Sequence, residues 1–149
     1  MMPRPGHPGM KTMNETQRFL GDKTTWAQAA ARLDDVQPLW GGRRVWVTGR
    51  GEVTVQVVAP SGHERQVGLL IHPAGWAALV QQFIDQDFLT ISPAERPGRP
   101  DEARPMLTLT NPAGAQYSLS KWAGVPAPRF DVLYRAFLAL AEQALAAGA

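Results

Sequence analysis

A change in the spacing of apolar residues between positions 43 and 147 limits most strongly what this chain can fold into. Valine, leucine and isoleucine occupy every second position of three successive segments, a helical spacing follows Pro73, and both patterns then occur once more. Alternation places side chains on one face of a strand, whereas spacings of three and four residues place them on one face of a helix. The pattern predicts a sheet combined with amphipathic helices.

Five strands are predicted, in two groups. Residues 49–51 and 111–114 separate alternating segments and contain glycines, which supply the positive φ angles of tight hairpin turns. Strands joined by such turns run antiparallel. The predicted strands cover residues 43–48, 52–59, 65–71, 106–110 and 116–121.

Each group of strands is followed by a predicted helix. The first begins at Pro73, a residue favoured in the first turn of a helix, and runs to about Gln86; the second follows Pro128. Both apolar stripes can cover the same side of the sheet. The expected fold is an α+β two-layer sandwich with a mainly antiparallel sheet of about five strands, in the order βββα-ββα, and two helices on one face.

The N-terminal part is predicted to be a separate helical segment. Residues 1–13 are rich in proline, glycine and methionine and are expected to form a disordered leader, residues 14–41 a helical segment, and residues 42–149 a single α+β domain. A helix is expected over Thr25–Asp35, because Thr25 and Gln28 have the spacing of a capping box. Its apolar face would contain Trp26, Ala29, Ala30 and Leu33.

Composition excludes several classes of site. The chain has no cysteine, which rules out disulfides, thiolate metal ligands and a cysteine nucleophile. No apolar run approaches the ~20 residues of a membrane-spanning helix, so no membrane association is expected and the cytoplasm is the expected location. His63 and His72 have no second ligand at metal-binding spacing, and we expect neither a metal nor a cofactor.

Two tryptophans stand out on the second face of the predicted sheet. Trp46 and Trp122 share their parity with serines, threonines and charged residues, and leaving both in water would forgo apolar burial. Three coverings are considered: the N-terminal segment folded back through Trp26, Leu33, Leu39 and Trp40; another subunit or protein; or a small molecule or nucleic acid. Exposed aromatic patches commonly mark interaction surfaces.

The leading functional hypothesis is a non-enzymatic interaction domain that associates with itself or with another protein through this aromatic face. Tryptophan and arginine dominate the binding energy of many interfaces. The predicted partner-binding residues are Trp46, Trp122, Arg44, Trp40 and Trp26.

Two other functions are kept open. A weak single-stranded nucleic-acid binder would use Arg43, Arg44, Arg50 and Arg65 for phosphates while a base stacks on an aromatic ring. An enzyme would need an unrecognised site between the sheet and the proline-rich loop 92–105. That loop is expected to be exposed and poorly packed, with Asp101 and Glu102 engaged in local ion pairs.

Overall fold

The computed structural model of this protein describes residues 9–148. Within that range the chain forms three α-helices, six strands and two short 3₁₀ turns, Lys23–Gln28 and Phe88–Thr90. The helices are α1 (Met10–Leu20), α2 (Pro73–Asp85) and α3 (Pro128–Ala147). The strands are β1 (Ala30–Gln37), β2 (Gly41–Thr48), β3 (Glu52–Val58), β4 (Glu64–Leu70), β5 (Met106–Thr110) and β6 (Gln116–Ser120).

The strands form a single antiparallel sheet with the order β4-β3-β2-β1-β5-β6. One face of the sheet packs against the helices, and the core between them is formed by buried valines, leucines and phenylalanines. The ring of Phe83 in α2 packs edge to face against two other rings. Its centroid is 4.8 Å from that of Phe88, in the second 3₁₀ turn, and 6.3 Å from that of Phe137, in α3. The predicted α+β two-layer sandwich is confirmed.

Strands β2 to β6 and helices α2 and α3 begin and end within about two residues of their predicted bounds. The sequence pattern works here because one side of each element is buried and the other is not. None of the helices in residues 9–148 is long and apolar enough to cross a membrane.

The helix predicted over Thr25–Asp35 is wrong. Residues 30–37 form β1, a central strand that pairs with β2 on one side and with β5 on the other. Ala31 and Leu33 are buried, while Arg32 and Asp34, which alternate with them, face the other side, so the period is two. The sheet therefore has six strands rather than about five, because pairing along both edges outweighs the helix preference of an alanine-rich stretch.

The N-terminal residues pack on the helix-covered side of the sheet. Met10 to Met13, assigned to the leader, form the first turn of α1; residues 1–8 lie outside the described range. The indole of Trp26 donates a hydrogen bond to the carbonyl oxygen of Phe19 at 3.0 Å, and Trp76 donates to the carbonyl of Trp26 at 2.7 Å. The fold-back of this segment over Trp46 and Trp122, one of the three coverings considered, does not occur: Trp26 and Leu33 are in the core, and Leu39 and Trp40 are exposed.

Candidate functional site: the open face of the sheet

The face of the sheet turned away from the helices is the candidate site, and it is called the open face below. Side chains alternate along a strand, so every second residue of each strand belongs to it. Most of these side chains are polar. The open face contains Arg32, Asp34, Arg44, Trp46, Thr48, Thr54, Gln56, Glu64, Gln66, Met106, Thr108, Ser118 and Ser120.

Trp46 lies near the middle of this face. Its cross-strand neighbours are Arg32 of β1 and Thr54 of β3, and the side chain is half-buried between them. The same row continues through Thr108 and Ser118, whose hydroxyl oxygens are 2.9 Å apart. Because the three helices lie on the opposite side of the sheet, they do not cover the indole, and part of it remains exposed.

A chain of charged and amide side chains fixes the surroundings of Trp46. Asp34 contacts Arg32 through Nε at 2.7 Å and Arg44 through Nε at 3.4 Å. Arg44 Nη1 donates to Gln56 Oε1 at 2.8 Å, and Gln56 Nε2 donates to Glu64 Oε2 at 2.8 Å. These contacts cross four strands, so long side chains that would otherwise lose rotamer freedom on binding are already ordered.

Trp122 is half-buried, like Trp46, and part of it is covered by loop 92–105 of its own chain. The guanidinium of Arg104 lies over the indole, 4.9 Å from the ring centroid, and a Cβ added to Gly98 would lie 2.2 Å from the ring. Loop 92–105 therefore docks on this tryptophan and uses a glycine for the close approach. The loop is largely exposed, as expected, but it is not poorly packed, because its Arg104 and Gly98 lie against the ring of Trp122, which follows β6.

Glu102 fastens the same loop. Its carboxylate accepts two hydrogen bonds from Arg96, at 2.7 and 2.5 Å, and one each from the backbone N–H groups of Gly124 and Arg99, at 2.8 and 3.2 Å. The Arg96 bonds are the main reason that the pKa of Glu102 falls to about 2. Local ion pairing is found as expected, but through Arg96 and Glu102, while Asp101 is exposed.

The two remaining predicted partner-binding residues, Trp40 and Trp26, differ in their exposure. Trp40 is 64% exposed in the turn between β1 and β2, beside Leu39 at 58%. Trp26 is only 6% exposed and belongs to the core. A partner can therefore reach Trp40 but not Trp26.

The arginines of the nucleic-acid hypothesis are not brought together. Arg44 is on the open face, whereas Arg43 lies opposite Asp35 on the helix side. Arg65 is paired with Val57 and also points to the helix side, at an edge of the sheet. Arg50 occupies the β2–β3 turn, at the far end of the strands from Arg43. Two faces and both ends of the sheet are involved, so these residues do not form one basic surface.

A second polar cluster, which the sequence analysis missed, surrounds a cavity of about 190 Å³ beside α3. Lys121 is 7% exposed; its ammonium contacts Asp131 at 3.0 Å and donates to the carbonyl of Val125 at 2.8 Å. Burial, and then the hydrogen bond that Tyr134 donates to Asp35, raise the pKa of Tyr134 well above its ordinary value. The parity of Lys121 with Tyr117 could have indicated this inward position.

Each of the four polar side chains in this cluster, Asp35, Lys121, Asp131 and Tyr134, has a partner in the same chain. The Lys121 contacts tie the first turn of α3 to the end of β6, and the Tyr134 contact ties α3 to β1. The arrangement is thus a structural one. Within residues 9–148, no three histidine, aspartate or glutamate side chains are placed to hold a metal ion.

Comparison with known proteins does not assign this chain to a family. No family model, no curated protein and no solved structure matches this chain. The open face therefore carries the functional proposal by its own geometry.

Proposed function

We propose that this protein is a non-enzymatic interaction domain and that a protein partner docks on the open face around Trp46. The proposal is carried by one observation: Trp46 is half-buried at the middle of a six-stranded sheet whose helices all lie on the other side. A large aromatic ring in this position has apolar surface left to bury.

The residues around Trp46 support a protein partner. Tryptophan and arginine are the commonest residues that dominate interface energies, and here Arg32 and Arg44 flank the indole. Asp34 holds both arginines in place. An anchor ring surrounded by ordered polar groups resembles the centre and rim of protein interfaces.

Charge on the open face favours a protein over a nucleic acid. Arg32 and Arg44 are balanced there by Asp34 and Glu64, so both signs are present. Single-stranded nucleic acids are bound by continuous positive grooves with stacking rings. The exposed turn at Leu39 and Trp40 adds apolar surface at one end of the same strands.

Replacing Trp46 with serine tests the proposal. Proteins retained by the wild-type chain from nuclease-treated extract of its native host are identified, and the affinity of the purified partner is measured. We expect Trp46→Ser to weaken binding about 30-fold or more, as for loss of a dominant interface residue.

The matched control is Ile84→Ser, which removes an exposed apolar side chain from α2, on the helix layer. This variant should bind normally. Circular dichroism should be the same for both variants. Unchanged affinity in Trp46→Ser, or capture that disappears on nuclease treatment, would overturn the proposal.

A further inference from the structure

Strand β4 forms one edge of the sheet and is its most exposed strand. None of its seven residues is buried, and Leu70 is 76% exposed. Edge strands are usually protected by proline, bulges or charges along their length. β4 has no proline, pairs with β3 without interruption, and carries charge only at Glu64 and Arg65.

Within residues 9–148, no other strand pairs with the outer edge of β4. At one end of the ladder Ala59 N–H donates to the carbonyl of His63, and at the other Ile71 N–H donates to Gly51, both at 2.8 Å. Hydrogen-bonded pairs alternate along an antiparallel ladder, so the odd-numbered residues of β4 bond to β3. The N–H and C=O groups of Glu64, Gln66, Gly68 and Leu70 point outward from the sheet.

We infer that this edge pairs antiparallel with β4 of a second copy of the chain, which joins two sheets into one of twelve strands. Outward-pointing residues must face each other across such a ladder. The register that pairs all seven residues places Val67 opposite Val67 of the second copy and Gln66 opposite its Gly68.

The side chains that face each other in this register favour a second copy of the chain as the pairing partner. Glu64 falls opposite Leu70, and Arg65 falls opposite Leu69, so no two like charges are opposed. The aliphatic stems of Glu64 and Arg65 cover the leucines while their charged groups remain in water. β4 is thus complementary to itself in both charge and backbone pattern.

The helix side of the edge also gains from pairing. Val67 and Leu69 are half-buried, and the end of α3 reaches Val67: a Cβ on Gly148 would lie 3.0 Å from its Cγ1. The outer side of these residues is left uncovered, and the same two residues of the second copy would cover it. Residues opposed in a ladder share a face, so both open faces lie on one side of the joined sheet.

A single cysteine tests the register, because the chain contains no other thiol. In the proposed pairing Val67 meets its own copy at a non-hydrogen-bonded position, where the separation suits a disulfide. We expect Val67→Cys to form a disulfide-linked dimer under mild oxidation. Leu69→Cys is the control, because its two copies would be about 13 Å apart along the strands.

A charge exchange tests association without any cross-link. Leu70→Glu would oppose two carboxylates at each end of the ladder and should weaken dimerisation about tenfold, while Leu70→Glu with Glu64→Lys should restore it. Sedimentation equilibrium measures both effects. Leu70 lies opposite Glu52 of β3 in the same chain, so both variants carry this intrachain carboxylate pair, and the comparison between them isolates the contact between copies.

A wild-type chain that is monomeric at its highest soluble concentration would overturn the inference. So would Leu69→Cys cross-linking as readily as Val67→Cys. The inference goes beyond the proposed function and does not depend on it, because Trp46→Ser leaves β4 intact. A variant can therefore lose partner binding at the open face without losing dimerisation through β4, and the two outcomes can be told apart.

Discussion

Glu102 shows how one side chain can determine the position of a fourteen-residue loop, residues 92–105. Its two carboxylate oxygens accept hydrogen bonds from Arg96 and from the backbone of Arg99 and Gly124. All of these donors favour the ionised form, so the pKa falls to about 2 from an ordinary value of 4.5. Loop docking and proton binding at this site are therefore linked.

The link predicts how acid affects the variant Glu102→Gln. Because the pKa is lowered in the folded state, the stabilisation is complete above about pH 4.5 and is lost as the pH falls towards about 2. The wild type should have the higher melting temperature near neutrality, and the difference should shrink below pH 4.5. Thermal unfolding from about pH 7 to pH 2 measures this. Asp101→Asn, at the exposed neighbouring residue, should follow the wild type; a difference that does not vary with pH would contradict the prediction.

Trp46 and Trp122 are residues of the same type with different neighbours. Arg104 and Gly98 cover Trp122, so this indole already buries apolar surface within its own chain. Trp46 has Arg32 and Thr54 as its cross-strand neighbours. Both indoles are half-buried, so the difference between them lies in their neighbours and not in their exposure.

At the scale of an element, loop 92–105 acts as a cover for the end of β6. Its close approach to Trp122 depends on the absence of a side chain at Gly98, where a Cβ would come within 2.2 Å of the indole. Cβ atoms are not found that close to other atoms in folded proteins, so the ring or the loop must move. Glycine is needed here for space.

Gly98→Ala should therefore release the loop. We expect faster cleavage after Glu95 and Glu102 by a glutamate-specific protease, with the fragments identified by mass spectrometry. Trypsin is unsuitable, since each arginine of the loop precedes a proline. Adding Gly98→Ala to Trp122→Phe should cause little further cleavage, because the smaller ring leaves room for the methyl group. Equal effects of Gly98→Ala in both backgrounds would contradict this explanation.

The misassigned strand shows what an element's sequence can and cannot indicate. Thr25, Gln28 and the alanines that follow favour a helix locally. β1 forms because β2 and β5 pair with its two edges, and β5 is distant in sequence. Strands β2 to β4 were predictable because short turns join them and valines alternate along them.

The candidate site was predictable to a similar degree. Parity placed Trp46, Trp122 and Arg44 on one face, and the sheet confirms that shared face for Trp46 and Arg44. The covering of Trp122 depends on a loop whose bends no period describes. Lys121 was missed because a buried lysine needs partners, and these come from later in the chain: Val125 from the turn after β6 and Asp131 from the first turn of α3.

At the scale of the whole molecule, β1 and β4 are opposites. β1 is bonded along both edges, whereas β4 is bonded along one. The backbone hydrogen bond from Gly49 to Ala29 shows that odd-numbered residues of β1 face β2, so the even-numbered ones face β5. Every amide from Ala30 to Asp34 is thus within a ladder.

Hydrogen exchange should reproduce this contrast. In dilute solution we expect slow exchange at all amides from Ala31 to Asp34. Along β4 we expect slow exchange at Val67 and Leu69 and fast exchange at Gln66 and Gly68. Residue-resolved exchange measured by NMR tests the pattern, and higher concentration should slow the fast amides as edges pair. Uniform exchange along β4 in dilute solution would contradict the assigned ladder.

The position of β1 also has a consequence during protein synthesis. Strands β1 to β4 leave the ribosome in order and can form a four-stranded meander, but β5 begins only at Met106. At about 5–20 residues per second, several seconds separate the emergence of β1 from that of β5. During this interval the β5-facing edge of β1, which is interior in the finished protein, is open to solvent. The nascent chain is therefore most vulnerable to mispairing at the β5-facing edge of β1, an edge that is paired with β5 in the folded protein.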